Sequence, residues 1–479
     1  MTSALGAAGE LAIRSLIERA PLASSLAEAF KKAGYRLALV GGPVRDAILG
    51  RLGNDLDFTT DARPEATKKI LKNWAENVWD TGIAFGTVAA KRGDTTVEVT
   101  TYRTEVYEID SRKPEVEFGD HIEGDLSRRD FTVNAMALEL TQGTPIFIDP
   151  FNGLHDLANK ILRTPTSATN SFSDDPLRMM RAARFASQLN FEVAPDVVEA
   201  MKSMASRISI ISAERVRDEL VKLLMSQNPR VGITMLVDVG LAEIVLPEIP
   251  KLQLEIDEHH HHKDVYEHSL TVLEQAIALE GRLGGPNLII RLAALLHDIG
   301  KPKTRSLIAG GGVSFHHHEV VGGRLTKERL KALRFSSETI EEVSTLVSLH
   351  LRFHGYGEGE WTDSAVRRYV RDAGSLLEHL HVLTRADCTT RNKRKADALA
   401  ATYQSLEDRI KVLMEQEELS KIRPDLDGGQ VMRLLNVKPS SAVGDALDFL
   451  LELRLENGPL GAERAEEELM KWWATRAKN

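Results

Sequence analysis

The sequence predicts an α+β protein, a mixed-sheet head followed by a long, wholly helical body. Between residues 36 and 150, short runs rich in Val, Thr and Ile alternate with turns. From Ser173 onward the apolar residues recur at helical spacing almost to the end of the chain. Pro and Gly punctuation near Pro247–Pro250, Gly284–Pro286, Gly310–Gly312 and Gly355–Gly359 cuts that body into helical blocks. At 479 residues, 42% hydrophobic and 27% charged, the chain is long enough for several domains and too apolar for wholesale disorder. No run approaches the ~18 apolar residues of a membrane span. The opening MTSALGAAGELAIRSLIERA is too charged for the apolar core of a signal peptide, and the single Cys388 forms no internal disulfide. Both features fit a cytoplasmic protein with no membrane partner. The net charge of −9 argues against coating nucleic acid through bulk charge. Residues 176–230 nevertheless hold nine Lys and Arg against six Asp and Glu, a small local basic excess.

The first strand, RLALVGG, ends in the Gly41–Gly42 turn and leads through a short helix carrying Arg45 to a second strand, DLDFTT. Strand alternation places Asp55 and Asp57 on one face and turns Leu56 to the core. Two carboxylates side by side repel unless a cation lies between them, and hard Mg²⁺ suits oxygen donors. Bare glycines let backbone N–H groups come close to a triphosphate. Nucleotidyl transfer asks for that set, metal ions beside a phosphate cradle. Alone, an Asp-x-Asp pair reads as two exposed acids on an edge strand. The Gly-Gly turn about a dozen residues upstream reverses the balance. With it, the region resembles the DNA polymerase beta superfamily of nucleotidyltransferases. That resemblance implies a third carboxylate, for which Glu98 in the later strand TTVEVTTYR is the candidate.

GTVAAKRG, TTVEVTTYR and TPIFIDP supply the remaining strands. LSRRDFTVNAMAL (126–138) reads as polar residues entering an apolar helix. Asp130 is either its N-cap or an acceptor for a ribose hydroxyl. Arg128 and Arg129 are suited to triphosphate oxygens, and Asn134 stands beside them. In DPFNGLHDL, a turn joining head to neck, Asp149, Gly153 and Asp156 fit either a hinge or caps and turns. In SFSDDPLRMMRAARFA, Asp174, Asp175 and Arg178 are spaced to meet on one helical face, with Arg181 and Arg184 continuing the stripe. A capped helix start with exposed arginines explains the same spacing. Hydrogen-bond logic adds a chemical reading. Cytosine and adenine both present an amine donor beside a ring-nitrogen acceptor, whereas uracil and guanine place a carbonyl at the amine position. An Asp acceptor next to an Arg donor matches C and A and repels U and G.

LVGGPVRD, DLDF, RTEVYEIDSRKPEVEF, RRDFTVNAMAL, DPFNG and DDPLRMMRAARFA follow one another in an order that resembles the bacterial-type (class II) tRNA nucleotidyltransferases, the CCA-adding enzymes. ISAERVRDELVKLL (211–224) fits the family's last neck motif, and the likeness covers roughly residues 36–225. One departure is Asp174, where the family usually has Glu. The resemblance implies addition or repair of the 3′-terminal CCA of tRNA from CTP and ATP, on a tRNA lacking all or part of it. It implies a DNA polymerase beta-like head and Mg²⁺ held by Asp55 and Asp57. Nucleotide contacts fall to Gly41, Gly42, Arg45, Arg129, Asp130, Asn134 and Arg181, and base selection to Asp175 and Arg178. The tract 103–118 matches a loop that in the family accompanies the change from C to A.

Downstream, His268, His297-Asp298, His316-His317-His318, His350 and Asp387 supply mixed N and O donors. LAALLHDIGKPKTR, an apolar helix ending in His297-Asp298, leads this set, and in FHHHE we take His318. The order resembles the HD-domain metal phosphohydrolases. It implies a divalent transition metal (Mn, Ni, Co or Fe) and hydrolysis of phosphoester or cyclic phosphate ends by an activated water. The expected organisation is a head at 1–150, a helical neck and body at 151–254, an HD domain at 255–390, and a C-terminal helical region at 391–479 that suits a tRNA contact. Residues 391–479 carry 15 basic and 16 acidic residues, which disfavours the rival reading of a poly(A) polymerase with a basic tail. A regulatory or hydrolytic HD protein with a merely nucleotide-binding head is the rival from another class. The intact Asp55, Asp57, Arg129, Asp130, Asp175 and Arg178 oppose it.

Overall fold

The alternating head sequence folds as one mixed sheet. In the computed structural model, α1 (Pro21–Lys32) precedes β1 (Leu37–Val40), and α2 (Gly42–Ile48) leads to β2 (Asp55–Thr60). Next come α3 (Pro64–Trp74), β3 (Asn77–Trp79), β4 (Thr87–Arg92), β5 (Thr95–Thr101) and the pair β6 (Arg103–Val106) and β7 (Glu115–Phe118). Then α4 (Ile122–Ser127), β8 (Ala137–Glu139) and β9 (Ile146–Ile148) complete the head. The structure describes residues 21–80, 82, 86–106, 115–254, 264–307, 313–353, 356, 361–390, 392–417 and 423–476. The middle of the 103–118 tract, the polar run 259–262 and Gly310–Gly312 therefore lie outside the described residues.

Seven strands run in the order β3-β4-β5-β2-β1-β8-β9. The β2–β5 pair is parallel and its neighbours are antiparallel. Interior β1 is buried on both faces, every residue from Leu37 to Val40 being inaccessible, which is why LALV reads as an unbroken apolar run. β2 alternates at its start, with Asp55 and Asp57 exposed and Leu56 buried. The apolar helix expected after Asp130 is absent. Thr132–Asn134 make one 3₁₀ turn, and Ala137–Glu139 pair with Val40–Ala38 as β8. So short an apolar run does not distinguish buried strand from helix by period.

The neck follows: α5 (Gly153–Asn159), β10 (Ile161–Leu162), α6 (Ala168–Asp174), α7 (Leu177–Leu189), β11 (Glu192–Val193), α8 (Pro195–Met204), α9 (Ala213–Leu224), α10 (Pro229–Asp238) and α11 (Ala242–Val245). Asp149 caps α5, its carboxylate accepting from Gly153 N (2.6 Å) and Leu154 N (2.9 Å). A Cβ on Gly153 would stand 2.2 Å from the Thr132 carbonyl oxygen, so this joint is packed. Buried Asp156 accepts from Thr132 Oγ1 (2.7 Å) in the same place. The single helical face expected for Asp174, Asp175 and Arg178 is broken. Asp175 is extended (φ −142°, ψ 100°) between α6 and α7, because the ring of Pro176 disfavours helix at the residue before it. α7 packs on α9 and α10. There Gly232 admits the Ser187 hydroxyl, which accepts from Gly232 N at 2.8 Å.

The chain divides into two units, Met1–Val245 and Leu246–Asn479. The second is helical: α12 (Val265–Leu279), α13 (Leu288–Leu296), α14 (Lys301–Thr304), α15 (His318–Ala332), α16 (Ser337–Leu349), α17 (Asp363–Ala373), α18 (Leu377–Asp387) and α19 (Lys393–Glu417), with two short antiparallel strands, Ser306–Leu307 and Val313–Ser314. The last helices, α20 (Gly428–Leu435), α21 (Ser441–Asn457) and α22 (Ala462–Arg476), close over Leu426, Val431, Ala446, Leu450 and Leu469. Among the described residues no helix is long and apolar enough to cross a membrane.

The Gly232 joint gives a stability test. An alanine Cβ there would lie 2.5 Å from Ser187 Oγ and 2.8 Å from the Ala183 carbonyl oxygen. Gly232→Ala is expected to cost about 1–3 kcal/mol, seen as an earlier thermal transition. An unchanged transition would show that α7 and α10 separate freely.

Candidate functional sites

The parallel pairing of β2 with β5 sets Asp57 directly opposite Glu98, with Asp55 two residues back along β2. All three side chains are exposed on that face. Partial desolvation pushes the Asp57 carboxyl up to about 6, opposed by the Arg129 guanidinium and reinforced by the Glu98 and Asp55 charges.

Arg129 ties this face to the glycine turn. Gly41 has φ 74°, and a Cβ there would meet Arg129 Nη1 at 2.6 Å, so only glycine accommodates the guanidinium. Buried Asp125, which the motif reading passed over, holds Arg129 Nη2 (3.3 Å) and Arg128 Nη2 (2.7 Å). Its burial would raise its pKa, but the two arginines lower it. The i+3 and i+4 spacing of Asp125 to those arginines was the available signal. Arg129 Nε is buried without a hydrogen-bond partner. A donor left over beside a glycine turn and a carboxylate face suits an anionic ligand.

Behind the turn runs a chain of charge. Arg45 clasps Asp46 (3.0 and 2.9 Å) and donates to Asn134 Oδ1 (2.6 Å). Asn134 Nδ2 donates to Asp130 Oδ1 (2.9 Å), and Arg181 donates twice to Asp130 Oδ2 (2.8 and 2.5 Å). Glu219 of α9 then holds Arg184 (2.6 Å) and approaches Arg181 (3.7 Å). Burial would raise the Asp130 pKa, but Arg181 and the Asn134 hydrogen bond hold it well below the carboxylate range. Arg45, Arg181 and Arg184 all lie over the Phe185 ring, at 5.2, 5.6 and 4.1 Å.

Asp175 and Arg178 meet through the backbone, Arg178 N donating to the Asp175 carbonyl (3.0 Å), and their side chains take other partners. Asp175 Oδ1 accepts from Leu177 N (3.1 Å) at the start of α7, and Oδ2 from Arg215 Nη2 (2.8 Å) on α9. Arg178 is buried and donates to Ser171 Oγ (2.9 Å) and to the Arg128 carbonyl (2.5 Å). Arg215 and Ser171 are site neighbours that the sequence reading did not single out.

In the second unit, His268, His297, Asp298, His318 and His350 are buried and face one another, with Asp387 at their rim. His316 and His317 point outward. The Nδ1 atoms of His297, His318 and His350 sit 2.9, 2.8 and 2.7 Å from the carbonyls of Ala294, Phe315 and Val347. A carbonyl only accepts, so each Nδ1 carries the proton; the Nε2 atoms of His318 and His350 are left to present a lone pair inward, whereas His297, although burial would lower its pKa, is pushed up to about 9 by Asp298 and Asp387. Close helix contact makes this convergence possible. A Cβ on Gly300 would strike the His318 carbonyl oxygen at 2.0 Å, and one on Gly323 the Ser348 hydroxyl at 2.0 Å. Lys301, which the sequence reading missed, is buried and donates to Asp298 Oδ2 (2.9 Å). Burial and the neighbouring His297 push His350 down to about 3, leaving it neutral for ligation.

Three domain families match the chain in order. They are the poly A polymerase head domain over 37–163, the "Probable RNA and SrmB- binding site of polymerase A" over 190–252, and the HD domain over 265–392. Head and HD families alike work with divalent metal ions. The fold and sites define a nucleotidyltransferase enzyme carrying an RNA-binding and an HD module. The A-adding tRNA nucleotidyltransferase of Deinococcus radiodurans is 32% identical over 444 residues, covering 91% of this chain and 95% of that protein. The chain belongs to the tRNA nucleotidyltransferase family. It is 42% identical to the CCA-adding enzyme of Levilactobacillus brevis over 230 residues, 48% of this chain and 56% of that one. A crystal structure of the Bacillus stearothermophilus CCA-adding enzyme in complex with CTP is 25% identical, with a TM-score of 0.63 over 96% of this chain and 99% of that one. The Thermotoga maritima CCA-adding enzyme complexed with tRNA shares the fold at 19% identity, with a TM-score of 0.60 over 96% and 98% of the chains.

The raised Asp57 pKa fixes the sign of a stability effect. Below its unfolded value of 3.8 the group is neutral in both states; as pH rises to about 6 only the unfolded chain ionises, so stability is lost across that window. Asp57→Asn should therefore raise the melting temperature in EDTA more at pH 7.5 than at pH 4.5. The solvent-facing position screens part of the penalty, which leaves about 1 kcal/mol, or about 2–4 °C. Equal gains at both pH values would refute the raised Asp57 pKa.

Proposed function

We propose that the protein adds or repairs the 3′-terminal CCA of tRNA in the cytoplasm, using CTP and ATP. The observation that carries this reading is Arg129, its buried Nε without a partner, held between the Gly41 turn and the Asp55, Asp57 and Glu98 face. Asp55 and Asp57, with Glu98 beside them, would hold Mg²⁺. Bound there, the ion supplies activation of the attacking hydroxyl and charge stabilisation at the pyrophosphate leaving group. Gly41, Gly42, Arg45 and Arg129 face the triphosphate. Asp130, kept ionised by Arg181 and Asn134, would accept from a ribose hydroxyl in exchange for one of the four hydrogen bonds it holds in this structure. Each Asp175 oxygen already accepts one hydrogen bond and keeps a further lone pair for an exocyclic amine, while Arg178 donates to the ring nitrogen. Asp387 and the buried His268, His297, Asp298, His318 and His350 would hold a divalent transition metal, Mn, Ni, Co or Fe, for hydrolysis of phosphoester or cyclic phosphate ends.

A second reading, addition of the terminal A alone, is favoured by the near full-length likeness to the A-adding Deinococcus enzyme. One assay separates them. A tRNA lacking CCA and a tRNA ending in CC are incubated with CTP, ATP or both, and the product ends are sequenced. The first reading expects CCA on both substrates; extension only of the CC-ended tRNA, by one A, establishes the second. Long A tails would overturn both. In the same assay Asp175→Ala should raise UTP use relative to CTP by roughly 10- to 150-fold, the worth of one charge-assisted hydrogen bond, about 1.5–3 kcal/mol. Unchanged discrimination in an active variant would show that the base is read elsewhere. His297→Ala should abolish hydrolysis of a nucleoside 2′,3′-cyclic phosphate and leave nucleotide addition intact. Loss of addition in a folded variant would defeat the assignment of the two chemistries to separate units.

A further inference from the structure

We propose that the cavity between α12, α18 and α19 seats the nucleobase of the nucleotide whose phosphate is hydrolysed beside Asp387. This rests on the reading above that the second unit hydrolyses phosphoester or cyclic phosphate ends. The cavity measures about 310 Å³, the size of a small-ligand site. Its place in the fold ties it to that chemistry. Gln275 follows His268 by seven residues on α12, two turns along the same side and about 10 Å farther down the axis. The Gln275 amide nitrogen donates to the carbonyls of Ala386 and Cys388, 3.1 Å each, the residues on either side of Asp387. Asp387 is also where the cluster opens, its side chain 17% exposed while the five other donors are buried. A phosphate held at that rim leaves the rest of its nucleotide next to the cavity.

The lining suits a flat heterocycle. Ala278, Ala396 and Ala400 give small apolar walls. Tyr403 gives another, its ring packed on Phe353 at 4.2 Å and its hydroxyl donating to the Thr384 carbonyl (3.0 Å). The Arg385 guanidinium lies over the same Tyr403 ring at 5.3 Å. Bases stack on aromatic rings and on guanidinium planes. The polar groups are few and fixed. Arg385 Nε donates to Glu407 Oε1 (2.9 Å), which leaves its two terminal nitrogens as donors with no acceptor among the described residues. Glu407 balances the Arg385 charge, which favours an uncharged base here over a phosphate. Gln275 commits both amide hydrogens to backbone carbonyls, so what it can offer a ligand is its oxygen. One acceptor and one set of donors in the same cavity match a ring with an exocyclic amine next to a ring acceptor, as in cytosine and adenine. Uracil would bring a carbonyl against the Gln275 oxygen.

The test uses the full chain. Cys388 lines the cavity and is the only cysteine in the sequence, so its rate of modification by a thiol reagent reports on this cavity. In EDTA, which stops turnover, cytidine 2′,3′-cyclic phosphate should slow that modification saturably. Uridine 2′,3′-cyclic phosphate should need a roughly 10-fold higher concentration for the same protection. With Mn²⁺ present, hydrolysis of the cytidine compound is compared with that of a base-free ester, bis(p-nitrophenyl) phosphate. Ala400→Trp, which fills the slot, should lower the ratio of the two activities by roughly 5- to 150-fold, the range for one stacked base. Unprotected Cys388 in a chain that hydrolyses the cytidine compound, or an unchanged ratio in Ala400→Trp, would overturn the base slot and leave the hydrolytic site standing. Hydrolysis of neither ester would instead overturn the hydrolytic reading on which the slot depends. If Ala400→Trp fails to fold, Cys388 protection in the unaltered chain decides.

Discussion

The first unit depends on the burial of one carboxylate, Asp130. An acid in the interior is costly unless it is paired and fully hydrogen-bonded. Asp130 accepts from Phe131 N, from Asn134 and twice from Arg181, so its partners come from the head and from α7 of the neck at once. The pairing extends outward, because Asn134 is in turn gripped by Arg45 of α2, and Arg181 lies near Glu219 of α9. Moving α7 away from the head would strand a buried anion and several guanidinium groups together. That penalty holds the Gly41 turn, the carboxylate face and the start of α7 in one frame, where separate apolar contacts would permit sliding. The stacked arginines over Phe185 add an apolar floor to the same joint.

The frame has a chemical consequence. Arg178, on the first turn of α7, reaches back to the carbonyl of Arg128, and Arg128 shares Asp125 with Arg129. The proposed base-reading end and the proposed phosphate-holding end are therefore linked through three arginines and one buried acid. A base, a sugar and a triphosphate laid along that line would meet groups whose spacing does not depend on the ligand. Such preorganisation is what lets hydrogen bonds discriminate among bases, since little is lost in arranging them at the moment of binding.

Much of this was legible in the sequence wherever a short-range rule applied. Alternation in DLDFTT put Asp55 and Asp57 on one face, whereas the Gly-Gly turn was read for a triphosphate and gave no sign of the Arg129 guanidinium packed against Gly41. The choice of Glu98 came from a resemblance, and only the parallel register of β2 with β5, a long-range pairing no local pattern contains, sets it opposite Asp57. The misreadings have the same origin. AMAL after Asn134 was read as helix because three buried strand residues carry no period, and their fate was decided by β1. The single helical face for Asp174, Asp175 and Arg178 ignored the constraint that Pro176 places on Asp175. Arg215 and Lys301 were invisible as site residues, being ordinary basic side chains until a distant helix brings them to Asp175 or a helix turn carries one onto Asp298.

The two units answer the same electrostatic problem in opposite ways. In the head, three carboxylates share one sheet face, and partial desolvation together with the Glu98 and Asp55 charges lets Asp57 hold its proton to unusually high pH against the pull of Arg129. Such a face can gain and lose a hard cation readily, because water solvates the acids when the cation leaves. In the second unit all the donors but Asp387 are buried, and the imidazoles of His297, His318 and His350 are clamped by backbone carbonyls. There the donors already pair with one another, His268 with Asp387 (2.9 Å) and His297 with Asp298 (3.1 Å), and His318 Nε2 alone of them is left without a hydrogen-bond partner. Under the proposed assignments, exposure on one side would suit a cation that comes and goes with a nucleotide, and enclosure on the other a cation that stays.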